Sequence, residues 1–503
     1  MNPAPVLRHI REDFAVTPGR LHGSIEITLQ VMLLAAIAMT IQLPEAALAA
    51  YLLFFAHKDN AGESMTTALM LLVAVTAAVP LALLLLGAVV DHQMARILAM
   101  AGFTFVGMFL AHASRLGPLA GTVGFVFAFA LTLFDIIPIP ELLNRALEWI
   151  WVVVALPMGL MAIWAALAGP RPDAKARERI AEWRAASARP DSDEARALLD
   201  EGLDPFDTYL AHAQRLGEIS KKDARLLALI GDNAYFNLAL AEAGAFSHRS
   251  AGAPPPVKEP FLAADAFSNP EHWQFAAKVL VAVVATYIFY TAFGGFQIHT
   301  AMITAFYVTL DTRGETHQKI TLRLIGALMG MLVGAMVVLL LMPHMTDLGH
   351  LLAVVGIVTF AAAWISLGGA RIAYAGWQMA LCFYLVAMNS FTPTLDFAAA
   401  IDRIAGILVG SLVVWAVFSA LWPVSARDKA AEAMEEFERG MANNPPPATG
   451  REVWALRMPL AKAAQLAHAH EYELGGGDAP DPEAGLARLH ALLKGEADAI
   501  FTY

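Results

Sequence analysis

The chain has 503 residues, is 58% hydrophobic and only 16% charged, and carries a formal net charge of −11. Soluble chains are nearer a quarter charged, so apolar runs this long exclude an ordinary soluble protein. The acidic balance argues against a nucleic-acid partner, which calls for a basic face.

The N-terminus, MNPAPVLRHIREDF, is polar, and no cleavable signal peptide is expected before the first apolar run. A bilayer core of about 30 Å takes roughly 20 apolar residues per helix. By that ruler the first block predicts six helices near 24–43, 45–57, 65–90, 93–113, 116–135 and 146–169. A second block predicts six more near 272–293, 296–310, 317–342, 347–366, 372–390 and 398–422. The second helix of each block is short, so it is expected to be tilted or only partly spanning. Between the blocks, 170–271 reads as soluble helices ending in the Pro/Gly-rich linker SHRSAGAPPPVKEP. The tail 423–503 is again helical, broken at ANNPPPATG and GGGDAPDP. These pieces are expected to pack together as a small cytoplasmic helical domain. The expected chain order is a cytoplasmic N-terminus (1–23), a first membrane repeat (24–169), a cytoplasmic segment and linker (170–271), a second membrane repeat (272–422) and a cytoplasmic tail (423–503).

The blocks match in detail. FFAHKDNAGES (54–64) aligns with FYVTLDTRGET (306–316) at an offset of 252, with six like residues in eleven. That reads as an internal duplication. The fold class is therefore an all-α membrane protein of two tandem repeats of about six transmembrane helices with a small helical cytoplasmic domain. Repeats with an even number of helices share one orientation and relate by a pseudo-twofold axis along the membrane normal. In each copy, Gly-Glu followed by Ser64 or Thr316 starts a helix, and the hydroxyl reads as its N-cap. Lys and Arg gather in 170–271 and in the loops around Lys58, Arg115, Arg313, Lys319 and Arg371, which predicts both termini to be cytoplasmic.

Ionisable residues inside apolar helices mark function by default. They are Glu26, Lys278, His299, Arg323, Asp402 and Arg403. At the 252 offset Glu26 and Lys278 are equivalent; they either face each other across the central axis or snorkel to water at the cytoplasmic end. Arg323 has Leu71 as its equivalent and reads as either a snorkelling anchor or an anion contact. Gly326, Gly330 and Gly334 form G-x-x-x-G-x-x-x-G, a close helix-packing face. Gly406 and Gly410 repeat the device. The single cysteine, Cys382, precludes a disulfide within the chain and reads as a buried small hydrophobe. No P-loop and no catalytic constellation is present, so neither an ATP-driven pump nor an enzyme is expected. In HAHE (468–471) the two histidines sit at i and i+2 on a helix and point apart, so no metal is expected.

RLIGALMGMLVG and the run GGARIAYAGWQMALCFYLVAMNSFTPTLDFAAAIDRIAGILVGSLVVWAVFSALWPVSA (368–426) resemble the fusaric acid resistance family of bacterial inner-membrane proteins. Among its members the chain looks most like the multidrug-efflux permease subunits, relatives of the p-hydroxybenzoic acid efflux pumps. The parts that carry the resemblance are Arg323 with its glycines, RIAYA with Arg371 and Tyr374, and DRIAG with Arg403. The resemblance implies export of aromatic acids or other small organic anions and drugs, driven by the proton gradient and needing no cofactor. Its implied partners are a periplasmic adaptor and an outer-membrane channel. Distant relatives among plant malate channels imply a homodimer. In this reading Arg323, Lys278 and His299 attract the substrate carboxylate, and Glu26 or Asp402 carries the coupling proton. Two alternatives share the same sequence: an uncoupled organic-anion channel, and a membrane scaffold whose helices bind a cytoplasmic partner.

Overall fold

The computed structural model describes Phe14, Val16 and residues 19–89, 92–135, 139–245, 260–293, 299–369, 371–388, 398–443, 446–473 and 478–495. Among these the chain is helical, with one isolated β-bridge between Ser114 and Leu262. The first block forms α1 (Arg20–Thr40), α2 (Ala46–Ala56), α3 (Ala61–Val89), α4 (Gln93–Ala113), α5 (Pro118–Thr132) and α6 (Pro140–Leu167). The middle segment forms α7 (Pro172–Ala186), α8 (Asp193–Glu201), α9 (Asp204–Arg215) and α10 (Lys221–Ala243). The second block forms α11 (Pro270–Ala292), α12 (His299–Tyr307), α13 (Arg313–Met336), α14 (Leu348–Ser366), α15 (Ala373–Ala387) and α16 (Ala398–Ala420). The tail forms α17 (Ala426–Asn443), α18 (Gly450–His470) and α19 (Pro482–Lys494).

Among the described residues seven helices are long and apolar enough to cross a membrane: α1, α3, α4, α6, α11, α13 with its continuation to His344, and α14. Helices α2, α5, α15 and the stretch Ile404–Ala420 of α16 are apolar but shorter. At 1.5 Å per residue, the 11 residues of α2 and the 9 of α12 fall well short of a bilayer core. These two helices lie within the packed bundle rather than on its rim: Ala49, Ala50 and Leu53 of α2 and Ala301, Met302 and Ala305 of α12 have no exposed surface.

The packing runs between the blocks as well as within them. Helix α1 packs on α14 of the second block, and α11 packs on α4 of the first. Within each block α3 packs on α6 and α4 on α5, as α13 packs on α16 and α14 on α15. The loop geometry recurs too. Asn60 Oδ1 accepts from Glu63 N at 2.9 Å, and Thr312 Oγ1 from Glu315 N at 3.2 Å. Ser64 Oγ accepts from Lys58 N at 2.9 Å, and Thr316 Oγ1 from Leu310 N at 3.1 Å. The N-caps are thus Asn60 and Thr312, not Ser64 and Thr316. The helices begin a turn earlier than expected, and the hydroxyls instead tie the first turn back to the end of the preceding segment. That leaves the cap's role of satisfying the free helical amides to the residue just before the helix.

The charged helices form a separate packed unit from two distant parts of the chain. Trp183 is fully buried, with its ring 5.3 Å from Phe206 and 5.5 Å from Tyr235. Arg457 of α18 is 2% exposed; its guanidinium donates to Asp200 Oδ1 at 2.9 Å and to both oxygens of Glu242 at 2.5 and 3.1 Å. Each Gly-Glu loop touches a different part of this unit. Asp59 pairs with Lys175 at 3.3 Å and accepts from the Tyr209 hydroxyl. Gly314 N donates to Glu473 Oε1 at 3.0 Å, the carboxylate that also accepts from Ala426 N at 2.9 Å.

Candidate functional site

The glycines set the site's position. A Cβ at Gly326 would lie 2.3 Å from the Ala375 carbonyl oxygen, and one at Gly330 would lie 2.3 Å from that of Met379. A Cβ at Gly334 would lie 2.8 Å from Val386 Cβ. Helix α13 therefore rests on the backbone of α15 at Gly326 and Gly330 and against the Val386 side chain at Gly334, a separation that only a missing side chain permits. Gly406 is buried, and a Cβ at Gly410 would lie 2.6 Å from the Ala301 carbonyl oxygen, so α16 approaches α12 in the same manner. Cys382 is buried beside the stripe, its Cβ 3.0 Å from the Cβ position of Gly330.

One turn before the stripe, the close approach brings Arg323 against the start of α15. Its Nη1 donates to the Tyr374 hydroxyl at 3.2 Å. The side chain is 2% exposed, and its Nε has no hydrogen-bond partner. Lys319 lies four residues earlier, on the same face of α13, with Nζ 5.2 Å from the centre of the Tyr374 ring. Tyr51 of α2 and Tyr307 at the end of α12 lie within electrostatic reach of Arg323 and Tyr374. Tyr307 in turn stands edge-on to Phe125 of α5 at 5.4 Å. Among the described residues, neither Arg323 nor Lys319 forms an ion pair with a carboxylate.

The cluster thus holds two neighbouring cations and three phenol rings, built by α2 and α5 of the first block and α12, α13 and α15 of the second; Glu315, one turn before Lys319, is a carboxylate within electrostatic reach of that lysine but forms no ion pair with it among the described residues. Desolvating a guanidinium costs several kcal/mol, and two like charges one turn apart add to that. A bound anion offsets both costs. A carboxylate takes parallel hydrogen bonds from a guanidinium, and an attached aromatic ring finds flat rings to lie against.

The other sequence-selected residues lie elsewhere. Glu26 is buried on α1, accepting from Trp164 Nε1 at 2.9 Å and Gln30 Nε2 at 3.2 Å. Lys278 is buried on α11, its Nζ 3.4 Å from the Trp422 carbonyl oxygen and 4.9 Å from the centre of the Phe418 ring. Among the described residues the hydrogen-bond and ring partners of the two differ, and those of Arg323 differ from both. Asp402 is half-buried in the first turns of α16, and Arg371 is half-buried in the turn before α15. His299 opens α12 and Arg403 lies in α16; their side chains fall outside the described residues. Lys319, Tyr51 and Tyr307 were not singled out from sequence as binding residues. The i, i+4 spacing of Lys319 and Arg323 was the available signal. Tyr51 had none, because α2 reaches the cluster only through tertiary packing. Among the described residues no group of three or more His, Cys, Asp or Glu is arranged to hold a metal ion.

Comparison with known proteins agrees with the family resemblance. Residues 282–417 match the fusaric acid resistance protein-like family. The chain is similar to the multidrug resistance protein MdtO of Escherichia coli K12, 26% identical over 498 residues, covering 84% of this chain and 73% of that one. It is also similar to MdtO of Shigella flexneri, 35% identical over 172 residues, which is 34% of this chain and 25% of that one. No solved structure matches. The matched segment runs from α11 to α16 and contains Arg323, Lys319, Tyr307 and Tyr374.

Proposed function

We infer that this chain, a relative of the multidrug resistance protein MdtO with a fusaric acid resistance protein-like second block, is an inner-membrane exporter of small aromatic carboxylates. The observation that carries the substrate class is the buried Arg323 with the half-buried Lys319 one turn away, both beside Tyr374, with Tyr51 and Tyr307 within electrostatic reach of Arg323, and neither cation in an ion pair among the described residues. A protein keeps an unpaired arginine in a membrane only where something compensates its cost. The substrate carboxylate compensates it here, and the ring of the substrate lies among the tyrosines.

The recurrence of caps and helix pairings at an offset of 252 supports two repeats related by a pseudo-twofold axis, with the site at the junction of their short second helices. Both termini and the charged helical unit are then cytoplasmic, and the Gly-Glu loops dock the membrane helices onto that unit. Transport against a gradient takes a proton coupled to anion exit. Glu26 and Asp402 are the acidic candidates within the membrane helices.

The test is reconstitution of the purified protein in vesicles with a pH-sensitive dye, followed by addition of a panel of aromatic and aliphatic carboxylates. Proton movement that depends on an aromatic carboxylate supports a coupled exporter. Voltage-driven flux without proton movement refutes coupling and leaves an anion channel. Flux that is equal for aromatic and aliphatic acids refutes the substrate class.

A further inference from the structure

A second polar cluster lies on the seam between the blocks, away from Arg323. His112 occupies the last turn of α4, and His272 the first turn of α11. Their Nδ1 atoms are 2.6 Å apart. The outer nitrogen of each ring meets a carboxylate: His112 Nε2 lies 3.2 Å from Asp311 Oδ1, and His272 Nε2 lies 3.4 Å from Asp265 Oδ1. The rings are shielded by Phe109 and Phe275, while the carboxylates are exposed, Asp311 at 66% and Asp265 at 52%. The other charged groups nearby are Lys278 and Lys462, both within electrostatic reach of Asp311, and Glu271, which is paired with Lys429 at 2.7 Å.

Proton counting selects one state. A carboxylate accepts, so each Nε2 that bonds one must carry a hydrogen. An Nδ1 to Nδ1 contact of 2.6 Å needs one hydrogen and one lone pair. The arrangement therefore holds three ring protons on two imidazoles, one more than two neutral rings hold. With two protons, either one Nε2 lone pair faces a carboxylate or the two Nδ1 lone pairs face each other, and one of the three contacts is lost. With four, two N–H groups face each other at 2.6 Å and the rings must part. Hydrogen bonds from Asn269 and His272 hold the Asp265 carboxyl below its ordinary range, so it is ionised at neutral pH.

We propose that the His112–His272 pair is a proton-binding site that clamps α4 of the first block to α11 of the second through one shared proton and releases that seam when a further proton binds. The exposed carboxylates connect the buried His272 and the half-buried His112 to bulk water. The linker that carries Asp265 is anchored to the end of α4 by Ala263 N donating to Ala113 O at 2.9 Å and Arg115 N donating to Phe261 O at 3.0 Å. Parting the rings therefore loosens the seam and the linker together. This gives a proton-driven transporter a protonation step at the junction of its halves, independent of what the Arg323 cluster binds.

The test reads the seam without transport. Ala276, one turn beyond His272, is fully buried. In a Cys382→Ser background, Ala276→Cys is labelled with a maleimide across pH 8 to 5, and each rate is divided by that of the unfolded protein to cancel the thiolate fraction. The expected ratio rises by about tenfold per pH unit as the pH falls toward the midpoint and levels off below it, as release by one proton requires. His112→Gln and His272→Gln, which keep a polar amide in place, are each expected to abolish the rise. Asp265→Asn, at an exposed position, is expected to move the midpoint to lower pH. A ratio that does not change with pH overturns the proposal, as does a rise that survives in both histidine variants. Should the histidine variants fail to fold, an unmoved midpoint in Asp265→Asn overturns it. Failure of carboxylate transport in the vesicle assay bears on the Arg323 site and leaves this readout intact.

Discussion

Replacing Arg323 by methionine separates binding from folding, because the two effects have opposite signs. The guanidinium is 2% exposed, donates to a single neutral hydroxyl and has no paired carboxylate among the described residues. Methionine fills a similar volume with no charge to desolvate. Placing an arginine in a membrane helix costs about 2.5–3.5 kcal/mol by insertion scales. The ligand-free Arg323→Met protein is therefore expected to be more stable by about 2–3 kcal/mol, seen as a raised melting temperature in detergent. A hydrogen bond to a charged group contributes about 1.5–3 kcal/mol. At 1.4 kcal/mol per tenfold, aromatic carboxylate binding should weaken by about ten- to a hundredfold. Arg323→Lys keeps the charge but loses the fork and should fall between. The assays are thermal unfolding and equilibrium binding on the same preparations. A folded Arg323→Met protein that binds and transports with unchanged constants refutes the site. A lowered melting temperature refutes the claim that the arginine is held at a cost to stability.

Tyr374→Phe removes the one hydroxyl that Arg323 bonds; it should raise the KM for aromatic carboxylates by about three- to tenfold, a hydrogen bond's usual contribution, and leave membrane levels unchanged. Gly330→Val should abolish folded protein in the membrane, because its Cβ would meet the Met379 carbonyl oxygen at 2.3 Å, whereas Gly102→Ala meets nothing within 4 Å and should express normally. In the charged helical unit, Arg457→Met leaves the largely buried Glu242 with His490 as its remaining partner and should destabilise that unit, by up to about 3–5 kcal/mol, read by urea unfolding. Burial alone would raise the Glu242 carboxyl, but hydrogen bonds from His490 and Arg457, with their charges, hold it below its ordinary 4.5. A depressed folded value means that its stabilisation is full above pH 4.5 and is lost as the pH falls through the folded value, so unfolding midpoints should drop on acidification in the parent protein and change less in Glu242→Gln.

Much of the fold was legible because apolar length and helix period are local properties of the chain. Each of the twelve apolar stretches overlaps a helix, and the shortness of α2 and α12 was visible in the spacing of polar breaks. The glycine spacing of four marked a helix face, since residues four apart share a face whatever their partner. Arg323 stood out because a charge in an apolar run is anomalous on its own. The caps were misread by one turn, because Asn60 and Ser64, like Thr312 and Thr316, are equally able to accept from free amides. Only the position of the first helical residue chooses between them.

Contacts between distant segments were decided by the tertiary structure alone. Sequence placed Glu26 and Lys278 at equivalent positions, and the fold gave each its own partners, Trp164 and Gln30 for one, Phe418 and Trp422 for the other. Tyr51 and Lys319 join Arg323 only because α2 enters the bundle and α13 lies flush on α15. The histidine pair is 160 residues apart in the chain and 2.6 Å apart in space. The sequence determined which segments are helical, which face of α13 is smooth and where charge is out of place, because those follow from residues within a few turns of each other. Which charges lack a counter-ion and which histidines share a proton depend on the packing of helices from both halves, and a one-dimensional pattern does not contain that packing.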